Sequence, residues 1–243
     1  MKIDIMTLFP GMINAVMRES IIGRAQDKGL VRVRAVNIRD WASGKHHKAD
    51  DAPYGGGRGQ VMLPEPLYRC HDALTRGEPV HTVLLSAQGA PFTQEKARQL
   101  LAKGRFILVC GHYEGIDQRF IDACVDEEVS IGDFVLTGGE IPAMAVADAV
   151  CRMVPGVLPD EEAFTEESHW DGLLEHPHYT RPETWRGRAV PEVLLSGHHA
   201  NIVRWRRKMS LLRTRRDRPD LYAAFQPRDK QDRKILAEIE QGT

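Results

Sequence analysis

The sequence predicts an α/β protein built on a mostly parallel sheet and followed by a smaller helical region. Three observations carry that expectation. Short apolar runs alternate with segments of helical periodicity as far as Arg152, the pattern of a parallel sheet with crossover helices. Two of those runs, residues 106–110 and 131–136, end in glycine turns, which suits a site at the carboxyl ends of a sheet. From Glu192 onward only helical patterns remain.

The elements follow in order. Residues 3–9 form the opening strand, which Pro10-Gly11 ends. Met12, Ile13, Val16, Met17, Ile21 and Ile22 recur at helical spacing, and Gly29 is the stop signal. Residues 31–35 alternate as a half-exposed strand does. Residues 37–59, NIRDWASGKHHKADDAPYGGGRG, make a polar loop; a loop this long in a compact domain is usually functional or disordered. Pro64 opens a helix bearing Leu67, Tyr68, Cys70, His71 and Leu74. A strand over 80–85 turns at Ser86-Ala87-Gln88-Gly89, and Thr93 caps a helix with Ala97, Leu100 and Leu101. A short helix with Ile116, Phe120, Ile121 and Cys124 separates strands 106–110 and 131–136. After the Thr137-Gly138-Gly139 turn, Glu140 lies in the first turn of a helix, where its carboxylate suits the dipole. Met144, Ala145, Val146, Ala149, Val150 and Met153 make that helix apolar on most of its circumference, so burial is expected. Residues 155–159 and the acidic stretch beyond read as a mobile linker. Helices are expected over 192–195, 201–214, 219–225 and 229–241.

At 243 residues and 42% hydrophobic, the chain can bury a large core. Net charge is −1, but unevenly spread: residues 153–180 hold no Lys or Arg, whereas residues 204–218 hold eight and one acid, Asp217. That asymmetry points to a polyanion partner for the second half, although most charge runs are solvated helix faces. Cys70, Cys110, Cys124 and Cys151 form no CxxC pair and read as buried apolar residues of a reducing compartment. With no signal peptide and no long apolar span, a cytoplasmic location is expected.

The three strand-following loops, residues 86–89, 111–115 and 137–139, can together bind an adenosine-bearing ligand through backbone groups. GxGxxG and GxxxxGK[ST] are both absent, which disfavours ordinary dinucleotide and P-loop readings. His46, His47, Asp50 and Asp51 fit no zinc spacing in a basic loop, so no dedicated metal site is expected there. His169, His176 and His178 read as surface or structural. Glu167 and Asp171 lie where a carboxylate on a closing segment can take a proton. Arg152 ends an apolar helix and needs a carboxylate, helix-end carbonyls or an anionic ligand.

The motifs LFPGM, DDAPYGGGRG, LSAQG, LVCGHYEGIDQR, SIGDFVLTGGEIPAM, VPGVL, GLLEHPHYTRP and VLLSGHHANIVRWRR, in this order across nearly the whole chain, resemble the bacterial tRNA (guanine-N1)-methyltransferases, the TrmD family. The resemblance implies a SPOUT-type catalytic domain over residues 1–159 with a trefoil knot in its C-terminal part, a flexible linker or lid over 160–174, and a helical tRNA-binding domain over 175–243. It implies transfer of a methyl group from S-adenosylmethionine to N1 of the guanosine at position 37 of tRNA, 3′ of the anticodon and after a guanosine at 36. That modification supports the reading frame. A homodimer with its active site at the subunit interface is implied too, and activity linked to Mg2+ without a dedicated protein site. A SPOUT methyltransferase for another RNA and a non-catalytic tRNA-binding protein are the alternatives.

Carried onto this sequence, the cofactor pocket comprises Leu84, Leu85, Ser86, Ala87, Gln88, Gly89, Gly111, Tyr113, Glu114, Ile131, Gly132, Asp133, Phe134, Val135, Leu136, Gly138 and Gly139. Asp50, Tyr54, Gly55, Gly57 and Gly59 would meet the guanine, and Arg204, Arg206, Arg207, Lys208 and Arg213 the tRNA phosphates. Glu167, Arg152 and Glu114 form the implied catalytic set, with Glu167 as base and Asp171 in reserve. Two departures stand out: Glu167 replaces the family's usual Asp, and Ala87 replaces a frequent Pro. Gln60 stands where Met is frequent.

Overall fold

The computed structural model describes residues 1–160 and 162–241, excepting the side chains of 162 and 163. It divides into two compact units, Met1–Glu161 and Glu162–Thr243.

The first unit is built on five parallel strands: β1 (Lys2–Thr7), β2 (Arg32–Asn37), β5 (His81–Pro91), β6 (Arg105–Cys110) and β7 (Glu127–Ser130). Their order is β2-β1-β6-β5-β7. The two-residue strands β3 (Asp50–Asp51) and β4 (Val61–Met62) make a separate antiparallel ladder. Helices α1 (Pro10–Met17), α2 (Ser20–Asp27), α3 (Pro64–Thr75), α4 (Gln94–Lys103), α5 (Gln118–Cys124) and α6 (Glu140–Cys151) connect them. In β6, Phe106 to Cys110 are all buried, the near-continuous apolar run expected of a strand covered on both faces. Ile107 and Val109 join Met6, Leu67, Cys70 and Phe120 in one cluster. By pleat alternation Phe106 and Leu108 face the other layer. Burial of each such side chain contributes about 1.5–3 kcal/mol.

Four expectations are corrected. Residues 131–136 are not a strand; they form a loop in which Phe134 N donates to Gly132 O (2.9 Å) and Val135 is 86% exposed. The fifth strand is instead β7, just before it. Its polar sequence EEVS suits an edge position, where Glu127 meets Lys96 Nζ (2.5 Å) and His81 Nε2 (2.8 Å). Secondly, β5 continues through the expected turn at Ser86–Gly89, with a register shift between Leu85 and Ala90, both of which pair with Val129. Thirdly, the first helical stretch is two helices, because Glu19 is extended and Ser20 has φ +53°. Lastly, the expected burial of α6 is incomplete: Ile141, Ala145 and Asp148 form an exposed stripe along a helix otherwise buried or half-buried.

The second unit contains α7 (Glu162–Thr165), the hairpin β8 (Thr184–Trp185) and β9 (Arg188–Ala189), and helices α8 (Glu192–Leu195), α9 (His199–Asp217), α10 (Pro219–Ala224) and α11 (Lys230–Glu240). The hairpin is not legible in the sequence pattern. The core of this unit is Leu173, Leu211, Ile235 and Ile239, with Tyr222, Phe225 and Leu236 packed on it. Leu173 falls in the segment read as a linker, yet it is 1% exposed. Thr214 fixes its neighbour, for Leu174 N donates to Thr214 Oγ1 (2.9 Å). Among the described residues no helix is long and apolar enough to cross a membrane.

Candidate functional site

A cavity of about 530 Å³ opens at the carboxyl ends of β5, β6 and β7, within the size range of small-molecule sites. Three chain segments wall it: residues 84–88 of β5, residues 111–116 after β6, and the loop and turn that follow β7 up to Gly139. Of the residues assigned to the cofactor pocket, only Gly89 and Asp133 do not line it. Gly89 instead packs on β7, where a Cβ would lie 2.4 Å from Val129 N. Asp133 is exposed. The walls add His112, Ile116, Gln118, Ile121 and Thr137, which the carried-over pocket did not include. The exposed apolar atoms of Phe134 and Leu136 and the backbone edges of the loops offer the mixed apolar and hydrogen-bonding surface that a nucleoside needs.

The glycine turn before α6 serves close approach. A Cβ at Gly138 would sit 2.2 Å from His112 Cε1, and one at Gly139 2.7 Å from Cys110 Cα. The turn is stitched to the end of β6 by Gly139 N donating to Gly111 O (3.0 Å). Beneath it lies a chain of polar contacts absent from the sequence reading. Glu140 is 2% exposed. Thr7 Oγ1 donates to its Oε1 (2.6 Å), and His112 Nε2 lies 2.6 Å from its Oε2. Facing a carboxylate, which only accepts, the imidazole is assigned its proton on Nε2. Phe9 N donates to Thr7 Oγ1 (2.8 Å), and the Phe9 ring packs 4.9 Å from the His112 ring. The ends of β1 and β6 and the start of α6 are thereby locked together behind the cavity wall. Cys110 is in this region too. Burial, and then the charge of Glu140, push its thiol well above the usual value of 9.0, so it is a packing residue with little thiolate character.

The long loop approaches the same cavity. Glu114 N donates to Gln60 O (3.0 Å), and Met62 N to Gly115 O (2.9 Å). Gly59 has φ +83°, and a Cβ there would meet the Glu114 carboxylate at 2.3 Å, so the loop end closes on Glu114 because residue 59 has no side chain. Asp50 is half-buried in β3 opposite Met62. Gly55 and Gly57 also have positive φ, and Tyr54 is 99% exposed. Arg39 Nη2 donates to Tyr113 Oη (3.2 Å), linking the loop to the wall of the cavity. Arg152 is half-buried at the C-cap of α6. Among the described residues no group of three or more His, Cys, Asp or Glu is gathered that could hold a metal ion.

The remaining assigned residues lie in the second unit. Glu167 is half-buried in a turn where Trp170 N donates to its carbonyl (3.4 Å). Asp171 is engaged by Arg207 and, at 3.5 Å, by Arg228. Arg207 also donates to Asp232 (2.7 Å), and its guanidinium lies over Phe225, so it is a half-buried structural clamp. Arg204 pairs with Glu238, Lys208 lies 3.9 Å from the same carboxylate, and Arg213 lies 3.9 Å from Asp217. Arg206 is exposed and has no side-chain hydrogen bond or ion pair among the described residues.

Comparison with known proteins points to one family. The family described as tRNA (Guanine-1)-methyltransferase TrmD matches residues 1–224. A tRNA (guanine-N(1)-)-methyltransferase of Desulforamulus reducens is 51% identical over 243 residues, covering 99% of this chain and 95% of that protein. One from Ruminiclostridium cellulolyticum is 55% identical over 224 residues, covering 91% and 96%. One from Staphylococcus epidermidis is 48% identical over 236 residues, covering 97% and 96%.

Proposed function

The chain belongs to the tRNA (guanine-1)-methyltransferase TrmD family and is an S-adenosylmethionine-dependent tRNA guanine-N1 methyltransferase, and we propose that the cavity at the carboxyl ends of β5, β6 and β7 is its donor site. The observation that carries this reading is the convergence of three loops, with little side chain at Ala87, Gly111, Gly138 and Gly139, on one cavity of nucleoside size. A bound S-adenosylmethionine supplies an electrophilic methyl group on a sulfonium. This chain supplies the rest. The loop backbones hold the adenosine, and Gly55, Gly57 and Gly59 let the substrate loop approach the base closely, with Asp50 and Tyr54 beside them.

N1 of guanine carries a proton at neutral pH, which must leave as the methyl group arrives. Glu167 is the proposed base, and Arg152 stabilises the negative charge that grows toward O6. Glu114, held by Gln60 O and packed on Gly59, orients the guanine edge. Asp171, engaged by Arg207 and Arg228, stays the reserve candidate. The target is N1 of the guanosine at position 37 of tRNA, extruded from the anticodon-loop stack. Of the basic residues on α9, Arg206 is the one with no intramolecular partner among the described residues, so it is the first to assign to phosphate; Arg204, Lys208 and Arg213 contribute on exchanging theirs.

A homodimer, the trefoil knot, a lid over 160–174 and a cytoplasmic place of action belong to the same proposal. Exposed Phe9, Met12, Val16, Ile21 and Ile141 support the dimer. The resemblance also links activity to magnesium; the described carboxylates do not gather into a site, and no step is assigned to the ion. The test is methylation of tRNA transcripts with guanosine at 36 and 37 by labelled donor. Label at N1 of guanosine 37, lost when that base is changed, is the expected result. Transfer that persists after the change refutes the assignment of the target.

A further inference from the structure

The opposite end of the sheet carries a second cavity, of about 340 Å³, at the amino ends of β1, β2 and β6. It is separated from the donor cavity by the length of β6, roughly 17 Å at about 3.3 Å per residue. The strand register places Lys2 between Arg32 and Arg105 in one cross-strand row. The next row on the same face pairs Asp4 with Arg34. Like charges directly opposite one another across strands are destabilising, and here three stand abreast.

The carboxylate within reach is already used. Asp4, with a side chain 9% exposed, accepts from Arg34 Nε (2.7 Å) and Arg105 Nη2 (3.4 Å). Arg105 Nη2 also donates to Leu74 O (2.6 Å), closing the end of α3. Arg76 borders the cavity from the C-cap of α3, in the left-handed region with φ +55°. Among the described residues Lys2, Arg32 and Arg76 have no side-chain hydrogen bond or ion pair. Glu78 is the second acid of the lining, so five cations face two carboxylates, one of them buried between two guanidiniums.

We propose that this cavity is an oxyanion site that binds a phosphate group between Lys2, Arg32 and Arg76. Guanidinium forks match phosphate oxygens in pairs, and an anion there relieves the repulsion of the row. The phosphate belongs either to a free phosphorylated compound or to the RNA backbone; both present anionic non-bridging oxygens.

The test uses the full chain. Thermal midpoints are measured in inorganic phosphate and in sodium chloride at matched ionic strength, for wild type and for the Arg32→Gln/Arg76→Gln variant. Phosphate is expected to raise the wild-type midpoint above the chloride value and to leave the variant's unchanged. Phosphate affinity by calorimetry should fall at least about tenfold, as loss of two charge-assisted contacts requires. In chloride the variant should melt no lower than wild type, because two like charges are gone. Should the double variant misfold, Lys2→Gln at the chain end replaces it. A tRNA arm separates the sources: a raised KM for tRNA at unchanged kcat identifies the RNA backbone, while an unchanged KM with a lost phosphate shift identifies a free compound. A wild-type midpoint equal in the two salts, or a phosphate shift retained in the variant, overturns the proposal.

Discussion

Replacing Glu140 by alanine should unfold the first unit's site from behind. The carboxylate is 2% exposed and serves two donors, Thr7 Oγ1 and His112 Nε2, each at 2.6 Å. Glu140→Ala leaves both without an acceptor, at about 1–3 kcal/mol each. It also removes packed methylene, at about 0.8 kcal/mol per group. The terms sum to about 3–7 kcal/mol, whose lower part, about 3–5 kcal/mol, is the usual cost of removing one member of a buried pair. Glu140→Gln keeps the volume and an oxygen for Thr7, and its amide can donate to the other imidazole tautomer, so about 1 kcal/mol is expected. Trp41 packs against the first unit's core, and the other tryptophans, Trp170, Trp185 and Trp205, lie beyond Glu161. With those three changed to Phe, Trp41 fluorescence reports urea unfolding of the first unit alone. At a slope of about 2 kcal/mol per M, Glu140→Ala should lower the midpoint by about 2 M and Glu140→Gln by about 0.5 M. A midpoint for Glu140→Ala within about 0.25 M of wild type would refute the view that this carboxylate ties β1, β6 and α6 together. Donor affinity should fall in parallel, because Gly111 and Gly138 border the cavity.

Three further outcomes are expected. Glu167→Ala should reduce kcat at least 100-fold, the scale of general-base catalysis, with donor affinity by calorimetry retained; near-normal turnover would move the base elsewhere. On α9, Arg206→Ala should weaken tRNA binding and lower the slope of its salt dependence by about one, while Arg207→Ala should chiefly lower the melting point of the second unit, since Asp232 then loses its guanidinium partner and Asp171 keeps only Arg228 at 3.5 Å; equal effects on both readouts would contradict the division of labour. Acid should loosen the second unit. The Arg207 hydrogen bond holds the Asp232 carboxyl below its usual 3.8, so the resulting stability is fully present above that value and is lost as pH falls through the lowered folded value. Urea midpoints of wild type and Asp232→Asn should therefore converge between pH 5 and pH 2.5, and a constant gap would exclude this linkage.

Much of the architecture is legible in the residues because local rules govern it. The apolar run FILVC demanded a strand buried on both faces, and Thr93 marked a helix start that the structure confirms with its side chain accepting from Lys96 N. The apolar run 131–136 misled for a physical reason: an apolar stretch satisfies either a covered strand or a loop that walls a cavity, and only the neighbouring chain decides. Likewise EEVS shows no strand period, yet it pairs along β5 because an edge position tolerates charge and Lys96 and His81 meet Glu127. Among the basic residues of α9, the sequence treats Arg206 and Arg207 alike; their fates diverge because adjacent helical positions point about 100° apart.

What the sequence by itself determined is the alternation of strands and helices, the glycine turns at strand ends and, through its motifs, the family. What only the tertiary structure decided is which distant groups meet. Thr7 and Glu140 are 133 positions apart, and no local propensity records that separation. The row of Lys2, Arg32 and Arg105 exists only because the order β2-β1-β6 brings three chain segments into register. Pairings of this kind follow from topology and burial, where desolvation makes each unmet polar group costly, and they are invisible until the chain is closed upon itself.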